Sequence, residues 1–323
     1  RDCTMNPEME KRITPEEYDK ITSKFISEYG YIGPCRKSSI IKYHGGSPLD
    51  KRGEIWQLHN NTFEKETVPA GIAKHYADPD EMDMDEYLLY GGMVQGLMLN
   101  YSLEAIRYKK DCSGALFWMY SDCWGEVGWT IIDYYIKRKL SYYFVKRAFA
   151  PLKLIMREQN GMIRLMGIND TGNKISFDAE YGYVSFDGTN KIGHSINITL
   201  QPYSREIVLE FAKGDYDFKR GTYYVKTNRE EILSATLRMG EYRNLDIPKA
   251  KPRVSNFRVE GNDIIFTVSS DVYAHAVHFN LGDDIRLSDE YFNLLPGESR
   301  VITVYELAGR IEAGDINCFA LNQ

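Results

Sequence analysis

The residue best suited to chemistry is Glu28, a carboxylate at the end of a short apolar segment. The stretch Phe25-Ile-Ser-Glu-Tyr-Gly30 is typical of a β-strand that turns into a glycine-rich loop, and we predict a strand over residues 24–29. A carboxylate at the mouth of a strand can act as a nucleophile or as a general acid or base. From this local pattern alone, however, an exposed and inert acidic residue is the simpler interpretation.

A second strand of the same kind is predicted at residues 115–120, and aromatic and acidic residues gather where it ends: Trp118, Asp122 and Trp124. In a parallel barrel the carboxyl ends of neighbouring strands meet on one face, so both strand ends would face one pocket. An indole face packs against the C–H face of a sugar, and carboxylates bind its hydroxyl groups. For Trp118 alone a core position is an equal alternative, whereas we expect Trp124 to be exposed.

Two helices are predicted to position these strands. Residues 85–110 have apolar side chains at helical spacing, with Asp85 as the predicted N-cap, and residues 136–150 form a second amphipathic segment. The order strand, helix, strand, helix predicts parallel strands with crossover helices. Two such units cannot close an eight-stranded barrel.

Helical periodicity almost disappears after Pro151. Turn residues there separate short β segments at regular intervals, which predicts antiparallel sandwiches. The stiff, polar segment 247–252 divides these segments into two groups. The predicted strands cover 153–157, 162–169, 174–178, 195–200, 204–212 and 222–227, and then 254–260, 263–269, 273–280 and 299–305.

Several of these stretches resemble the β-mannosidases of glycoside hydrolase family 2. Phe-Ile-Ser-Glu-Tyr-Gly at 25–30 resembles their nucleophile motif, and residues 117–134 resemble their final barrel strand with the loop that follows it. Residues 139–151 resemble the last barrel helix, and residues 289–298 resemble a stretch of the C-terminal sandwich. The likeness is strongest in 24–33 and 114–151.

The resemblance implies a multidomain α/β and all-β fold: the last part of a (β/α)8 TIM barrel in residues 1–150, then immunoglobulin-like sandwiches in 151–246 and 247–323. It implies a retaining exo-β-glycosidase that removes terminal β-mannosyl residues. Glu28 would be the nucleophile. Trp118 would form the floor of the sugar site, and Asp122 and Trp124 would line its rim.

One departure from the family pattern concerns the acid/base glutamate, which the family carries in an Asn-Glu pair. No Asn-Glu pair occurs in this sequence. Glu126 lies near Asp122, but it belongs to the loop after the strand and is a poor replacement. We therefore expect the chain to be a C-terminal portion that holds half of a catalytic pair and is inactive alone.

Two alternatives remain open at this stage. Another family 2 β-glycosidase, such as a glucosaminidase, glucuronidase or galactosidase, would share the same scaffold. In a different class, the chain would be a non-catalytic carbohydrate-binding or structural module built on its sandwiches. An upstream extension with further barrel strands and an Asn-Glu pair favours the enzyme, whereas an initiator methionine near Arg1 favours the module.

The composition of the chain limits the classes of molecule that it is expected to bind. A formal net charge of -6 with interspersed signs disfavours a nucleic-acid binder, and no apolar run is long enough to cross a membrane. The expected partner is a β-linked oligosaccharide or glycoside. The incomplete barrel edge also predicts self-association, because unpaired strands and an apolar helix face would be exposed.

No cofactor or metal is expected. The acidic run 78–86 lacks the loop glycine of an EF-hand and has no glutamate at the offset where that loop needs a bidentate ligand. His275 and His278 are three apart in a predicted strand and would point to opposite faces. The 5 cysteines are scattered without a CxxC pair, so neither a zinc site nor a disulfide framework is indicated. Scattered thiols slightly favour a reducing, cytoplasmic compartment, although the sequence does not fix the location.

Overall fold

Strands β1 (Phe25–Tyr29) and β2 (Gly114–Phe117) pair in parallel and form a two-stranded sheet in the computed structural model. Their register places the last residue of one strand opposite the last residue of the other. Strand β2 is shorter than the predicted segment 115–120, because the main chain after Trp118 bonds to a later loop rather than to β1. The N–H of Met119 then donates to the carbonyl of Trp129 at 3.3 Å.

The structure describes residues 8–306, 309 and 311–323, so Cys3 lies outside the described residues. The chain divides into two compact units, residues 1–149 with 241–243, and residues 150–240 with 244–323. The second unit contains both groups of β-strands. The division into three domains at 150/151 and 246/247 therefore stays a prediction.

The long helix α5, Met84–Tyr108, crosses the core of the first unit. Asp83 caps it, rather than Asp85 as the sequence predicted. The Asp83 carboxylate accepts from the N–H of Glu86 (2.9 Å), and the Glu86 carboxylate accepts from the N–H of Asp83 (3.2 Å). A glutamate three residues after the cap closes this reciprocal pair. Asp85 instead lies in the first turn and forms an ion pair with Lys37 (2.6 Å).

Helix α6, Ser141–Ala148, begins five residues later than the predicted helix 136–150. The preceding residues form a turn around Asp133, whose carboxylate accepts from the N–H groups of Tyr135 (2.9 Å) and Lys137 (3.0 Å). Ile136 takes a left-handed conformation within this turn (φ 63°). A local side-chain to main-chain bond thus replaces the first helical turn.

Short helices that the sequence pattern did not reveal complete the first unit. All but the first, Met9–Arg12, contribute apolar side chains to the core around α5, including Ile40, Trp56 and Ile72, which are all buried. Each of these helices has so few turns that its apolar residues do not repeat often enough to reveal helical periodicity. They are α1 (Met9–Arg12), a 3-10 helix (Pro15–Lys20), α2 (Lys37–Tyr43), α3 (Glu54–His59) and α4 (Thr67–His75).

The first group of strands in the second unit forms two antiparallel sheets, in the orders β3-β4-β7 and β6-β5-β8-β9. All six predicted segments overlap observed strands. Strand β5 is longer than predicted because it continues past Gly182, whose backbone lies against the carbonyl of Ile192 where a side chain would not fit. The strands are β3 (Leu152–Gln159), β4 (Met162–Asn169), β5 (Ile175–Ser185), β6 (Lys191–Leu200), β7 (Ser204–Ala212), β8 (Gly221–Thr227) and β9 (Ala235–Thr236).

The second group forms two three-stranded sheets, β10-β11-β14 and β13-β12-β15. The predicted linker is anchored here, since the N–H of Ala250 donates to the carbonyl of Asn322 (2.8 Å) and the Asn322 amide donates to the carbonyl of Pro248 (2.7 Å). The two short strands β13 and β15 were not predicted. The strands are β10 (Arg253–Glu260), β11 (Asp263–Ser270), β12 (Ala274–Phe279), β13 (Phe292–Leu294), β14 (Glu298–Val304) and β15 (Cys318–Phe319).

The two histidines of β12 make separate contacts. The Nδ1 atom of His275 lies 2.9 Å from the side-chain oxygen of Asn293, and the Nδ1 atom of His278 lies 2.8 Å from the carbonyl of Ala276. Over residues 8–306, 309 and 311–323, no His, Cys, Asp and Glu cluster has the geometry of a metal site. No disulfide bond joins the described cysteines, Cys35, Cys112, Cys123 and Cys318. In the same part of the chain, no helix is long and apolar enough to span a membrane.

Gly30 is required where the two strand ends meet. A Cβ atom at this position would lie 2.2 Å from the carbonyl oxygen of Trp118 and 2.9 Å from the Trp129 ring. We expect Gly30→Ala to reduce the free energy of unfolding by about 1 to 3 kcal/mol in urea denaturation, because the backbone must shift. Gly282→Ala is the control, since no atom lies within 4 Å of its added methyl group. An equal effect of both changes would contradict the packing argument.

Burial lowers the pKa of His275 to about 4, while its hydrogen bond to Asn293 opposes the shift. The unfolded chain therefore binds this proton at a higher pH than the folded chain does. Stability should fall as the pH decreases from the ordinary histidine value towards 4, by up to about 3 kcal/mol. Urea titrations of wild type and His275→Gln at a series of pH values measure this slope. The slope should be shallower in His275→Gln than in the wild type, and equal slopes would contradict the burial argument.

Candidate functional site

Glu28 lies on a bulge in strand β1. Ile26 pairs with Ala115 and Tyr29 pairs with Phe117, so three steps along β1 match two steps along β2. Both Ile26 and Tyr29 are buried, whereas Ser27 and Glu28 between them are exposed. A bulge redirects side chains in this way. Within the described part of the chain, no hydrogen bond or ion pair engages the Glu28 carboxylate.

Trp118 directly follows the end of β2, beside the end of β1. Its N–H donates to the carbonyl of Tyr29, and its own carbonyl faces the bare backbone of Gly30. The Trp118–Met119 peptide bond is cis. The side chain is 48% exposed, so it is not a core tryptophan. The structure thus brings Glu28 and Trp118 to adjacent strand ends.

Asp122 lies in the loop after β2 and organises that loop. Its two carboxylate oxygens accept from the N–H of Trp124 (3.3 Å) and from the hydroxyl of Thr130 (3.4 Å). Burial raises the pKa of the Asp122 carboxyl group, against the opposing effect of these donors and of Lys139. No contact among the described residues joins Asp122 directly to Glu28.

Glu126 is half-buried in the same loop. Burial, and then the nearby charge of Asp122, raise the pKa of its carboxyl group, while a hydrogen bond to Asn61 lowers it. The side chain folds against the backbone of Gly128, where a Cβ atom would lie 2.1 Å from a carboxylate oxygen. Its side chain therefore contacts both the loop itself and Asn61 in the connection after Glu28.

A buried polar network beneath the loop was missed in the sequence. The Lys139 ammonium group, 0% exposed, donates to the carbonyls of Gly33 (2.6 Å) and Gly128 (3.0 Å). Burial lowers the pKa of this ammonium group, and the neighbouring Cys35, Asp122 and Glu126 raise it. Gly33 and Gly128 also exchange main-chain hydrogen bonds with each other, at 3.0 and 3.2 Å.

Gln95 on helix α5 completes this network. Its amide group donates to the carbonyls of Tyr31 (3.0 Å) and Thr130 (3.2 Å), and its oxygen accepts from the hydroxyl of Ser141 (2.8 Å). A glutamine within the apolar face of the helix was the available signal in the sequence, because a buried amide must find partners. Lys139 gave no such signal, since it follows other basic residues.

Three stacked rings cover the outer part of the loop. The Trp124 ring stacks on His59 with centroids 4.5 Å apart and an angle of 3°, and His59 stacks on Tyr43 at 4.3 Å and 15°. Trp124 is 49% exposed, as the sequence predicted. Tyr43 and His59 lie in the long connection after Glu28, where the sequence could not distinguish a substrate contact from loop packing.

These residues provide an accessible carboxylate, one aromatic group beside it and a second aromatic group on a braced loop. Such a set can act by nucleophilic attack on a ligand held against aromatic faces. A second carboxylate placed opposite Glu28 is not found among the described residues. The four predicted site residues therefore divide into a pair at the strand ends, Glu28 and Trp118, and a pair within the loop, Asp122 and Trp124.

Comparisons with known proteins agree with the sequence resemblance. Residues 248–315 match the Ig_mannosidase family, an Ig-fold domain. The chain is 23% identical to a β-mannosidase B of Aspergillus flavus, over 94% of this chain and 38% of that protein. It is similar in structure to the β-D-mannosidase of Dictyoglomus thermophilum, with a TM-score of 0.86 and 29% identity over 95% of this chain and 38% of that chain.

A more distant likeness extends to the exo-chitosanase CsxA of Amycolatopsis orientalis, with a TM-score of 0.63 and 14% identity over 92% of this chain and 41% of that chain. At this identity the likeness concerns the fold alone. The chain spans less than half the length of each of these relatives. The β-rich architecture and the Ig-like domain are confirmed, whereas the partial TIM barrel stays a prediction. The Ig-fold match, the β-mannosidase B relative and the structural likeness together support a β-mannosidase-like, C-terminal portion of the family 2 glycoside hydrolase type.

Proposed function

We propose that the full-length protein containing this chain is a retaining exo-β-glycosidase, a β-mannosidase, and that Glu28 is its nucleophile. One observation carries the proposal: the bulge in β1 presents Glu28 as an exposed carboxylate at the end of a parallel strand pair, next to Trp118. The likeness to the β-D-mannosidase of Dictyoglomus thermophilum supports the choice of sugar.

The chemistry requires two carboxyl groups about 5 to 5.5 Å apart. The Glu28 carboxylate attacks the anomeric carbon and forms a carbon–oxygen bond, while the bond to the leaving oxygen breaks. A glutamate outside this chain donates a proton to that oxygen. The same glutamate then takes a proton from water, which attacks the anomeric carbon and releases the sugar with retained configuration. Glu28 leaves as the free carboxylate.

The remaining site residues would bind the sugar. The half-exposed ring of Trp118 would form the floor, where apolar C–H groups pack against an aromatic face. Asp122 and Trp124 would line the rim. Each carboxylate offers about four acceptor positions, so Asp122 keeps capacity for sugar hydroxyls beyond the two donors that the loop supplies.

The domain organisation that accompanies this proposal has three parts. Residues 1–150 would be the end of an eight-stranded barrel, and residues 151–246 and 247–323 would be two immunoglobulin-like sandwiches. Without the other barrel strands and the acid/base glutamate, this chain alone would be inactive. No cofactor takes part in the proposed steps.

Replacement of Glu28 by glutamine tests the proposal. In the full-length protein, Glu28→Gln should reduce kcat/KM for an aryl β-mannoside by roughly a thousandfold or more, because an amide cannot form the glycosyl ester. Glu81→Gln is the matched control, since this exposed glutamate lies in a loop of the same unit. The 323-residue chain alone should show no turnover.

The outcomes separate the competing functions. Full activity of Glu28→Gln would contradict the nucleophile assignment. Turnover of aryl β-glucosaminide, glucuronide or galactoside in preference to the mannoside would support another family 2 glycosidase. If no full-length variant or wild type cleaves any of these substrates, the non-catalytic module is the better interpretation.

We also propose that the isolated chain self-associates through the open sides of its two-stranded sheet. Phe25 and Leu116 on these strands are 52% and 59% exposed. Sedimentation of the wild-type chain should show association, and Leu116→Lys should weaken it because a charge opposes strand pairing there. The control is Phe63→Lys at another exposed phenylalanine of the same unit. A monodisperse wild-type monomer would contradict the proposal.

A further inference from the structure

His59 contacts the loop after β2 through both its ring and its main chain. The ring Nδ1 lies within hydrogen-bonding distance of the carbonyl of Gly125, the residue next to Trp124. The His59 carbonyl accepts from the N–H of Val127 (2.8 Å), and the Val127 carbonyl accepts from the N–H of Asn61 (3.2 Å). The connection after Glu28 is thereby hydrogen-bonded to the loop after β2 at both Gly125 and Val127.

The ring stack needs a close approach at Gly125. A Cβ atom there would lie 2.5 Å from the Tyr43 ring, so only glycine lets the loop pass this close to the stack. The planes of the Trp124 and His59 rings are almost parallel, at an angle of 3°. The His59 ring lies between the Trp124 ring and the Tyr43 ring. His59 is buried, whereas Trp124 is 49% exposed. One indole face is covered by His59, and the exposure of the side chain leaves the opposite face open.

We propose that Tyr43 and His59 hold Trp124 as a rigid platform on which a pyranose ring of the β-glycoside stacks. His59 is a positioning residue in this account, because it fixes the plane of the indole without touching the sugar. An indole is the largest aromatic surface a protein offers, and its orientation decides whether a sugar face can lie flat on it. The choice of ligand class rests on the proposed function, whereas the positioning role rests on the ring geometry alone.

Fluorine NMR on the full-length protein labelled with fluorotryptophan tests the positioning role. Trp124→Phe identifies the Trp124 resonance. His59→Ala should shift and broaden that resonance, because the covered indole face becomes mobile and solvated. His59→Phe should keep it sharp, since a phenyl ring preserves the stack while losing the bond to Gly125. His194→Ala, at an exposed histidine of the second unit, is the control. An unchanged Trp124 resonance in His59→Ala would overturn the positioning role.

Titration with methyl β-mannoside tests the platform in the same samples. The Trp124 resonance should move in the wild type and in His59→Phe, and it should respond only at higher concentration in His59→Ala. A Trp124 resonance that is insensitive to methyl β-mannoside, methyl β-glucosaminide, methyl β-glucuronide and methyl β-galactoside alike would overturn the platform. If a sugar moves it while Glu28→Gln remains fully active, the platform stands and the nucleophile assignment fails.

Kinetics then show whether His59 acts through Trp124. His59→Ala should raise KM for the aryl β-mannoside about threefold to tenfold, which is the ratio that corresponds to the interaction energy of one aromatic pair. It should leave kcat within about threefold. The double variant His59→Ala with Trp124→Ala should match Trp124→Ala alone. Multiplicative losses in the double variant would contradict an effect transmitted through Trp124.

Discussion

The ammonium group of Lys139 is the constraint on which the site depends. It is wholly buried and donates to the carbonyls of Gly33 and Gly128, the two residues whose main chains join the strand-end loop of β1 to the loop after β2. A buried charge is tolerated only where hydrogen bonds and opposite charges compensate it. The carbonyls of Gly33 and Gly128 supply the hydrogen bonds to Lys139, and the acidic side chains of the loop supply the opposite charge. Any shift of either loop would remove part of that compensation.

The close fit around this charge explains several glycines and polar residues. A Cβ atom on Gly33 would lie 2.6 Å from the Gln95 side chain, so the glutamine amide can reach the loop carbonyls only because that position is bare. The loop held in this way carries Asp122 and Trp124, and the ring of His59 stacks on Trp124. Glu28 is presented independently, by the bulge in β1. The nucleophile candidate and the loop with Asp122 and Trp124 are thus held in place by separate local contacts on one pair of strands.

Local signals in the sequence predicted much of this arrangement. The apolar run before Glu28, the periodicity of helix α5 and the turn-separated β segments each depend on neighbours in the chain, and each was found. The cap at Asp83 was misassigned because the acidic run before the helix offers several caps of similar quality. The Lys139 network and the Tyr43–His59–Trp124 stack depend on residues far apart in sequence. Their partners are main-chain carbonyls and ring faces, which leave no pattern in residue types.

The central claim is that Glu28 forms the covalent glycosyl-enzyme, and trapping that species tests it most directly. A β-mannosyl fluoride with fluorine in place of the 2-hydroxyl group should accumulate as an ester on the enzyme. Hydrogen bonds to the 2-hydroxyl group strengthen in the transition state, so its loss slows hydrolysis of the ester. Mass spectrometry of the full-length protein should show one added sugar, located on the peptide that contains Glu28 and absent from Glu28→Gln. A sugar attached to a different carboxylate, or one that persists in Glu28→Gln, would contradict the account.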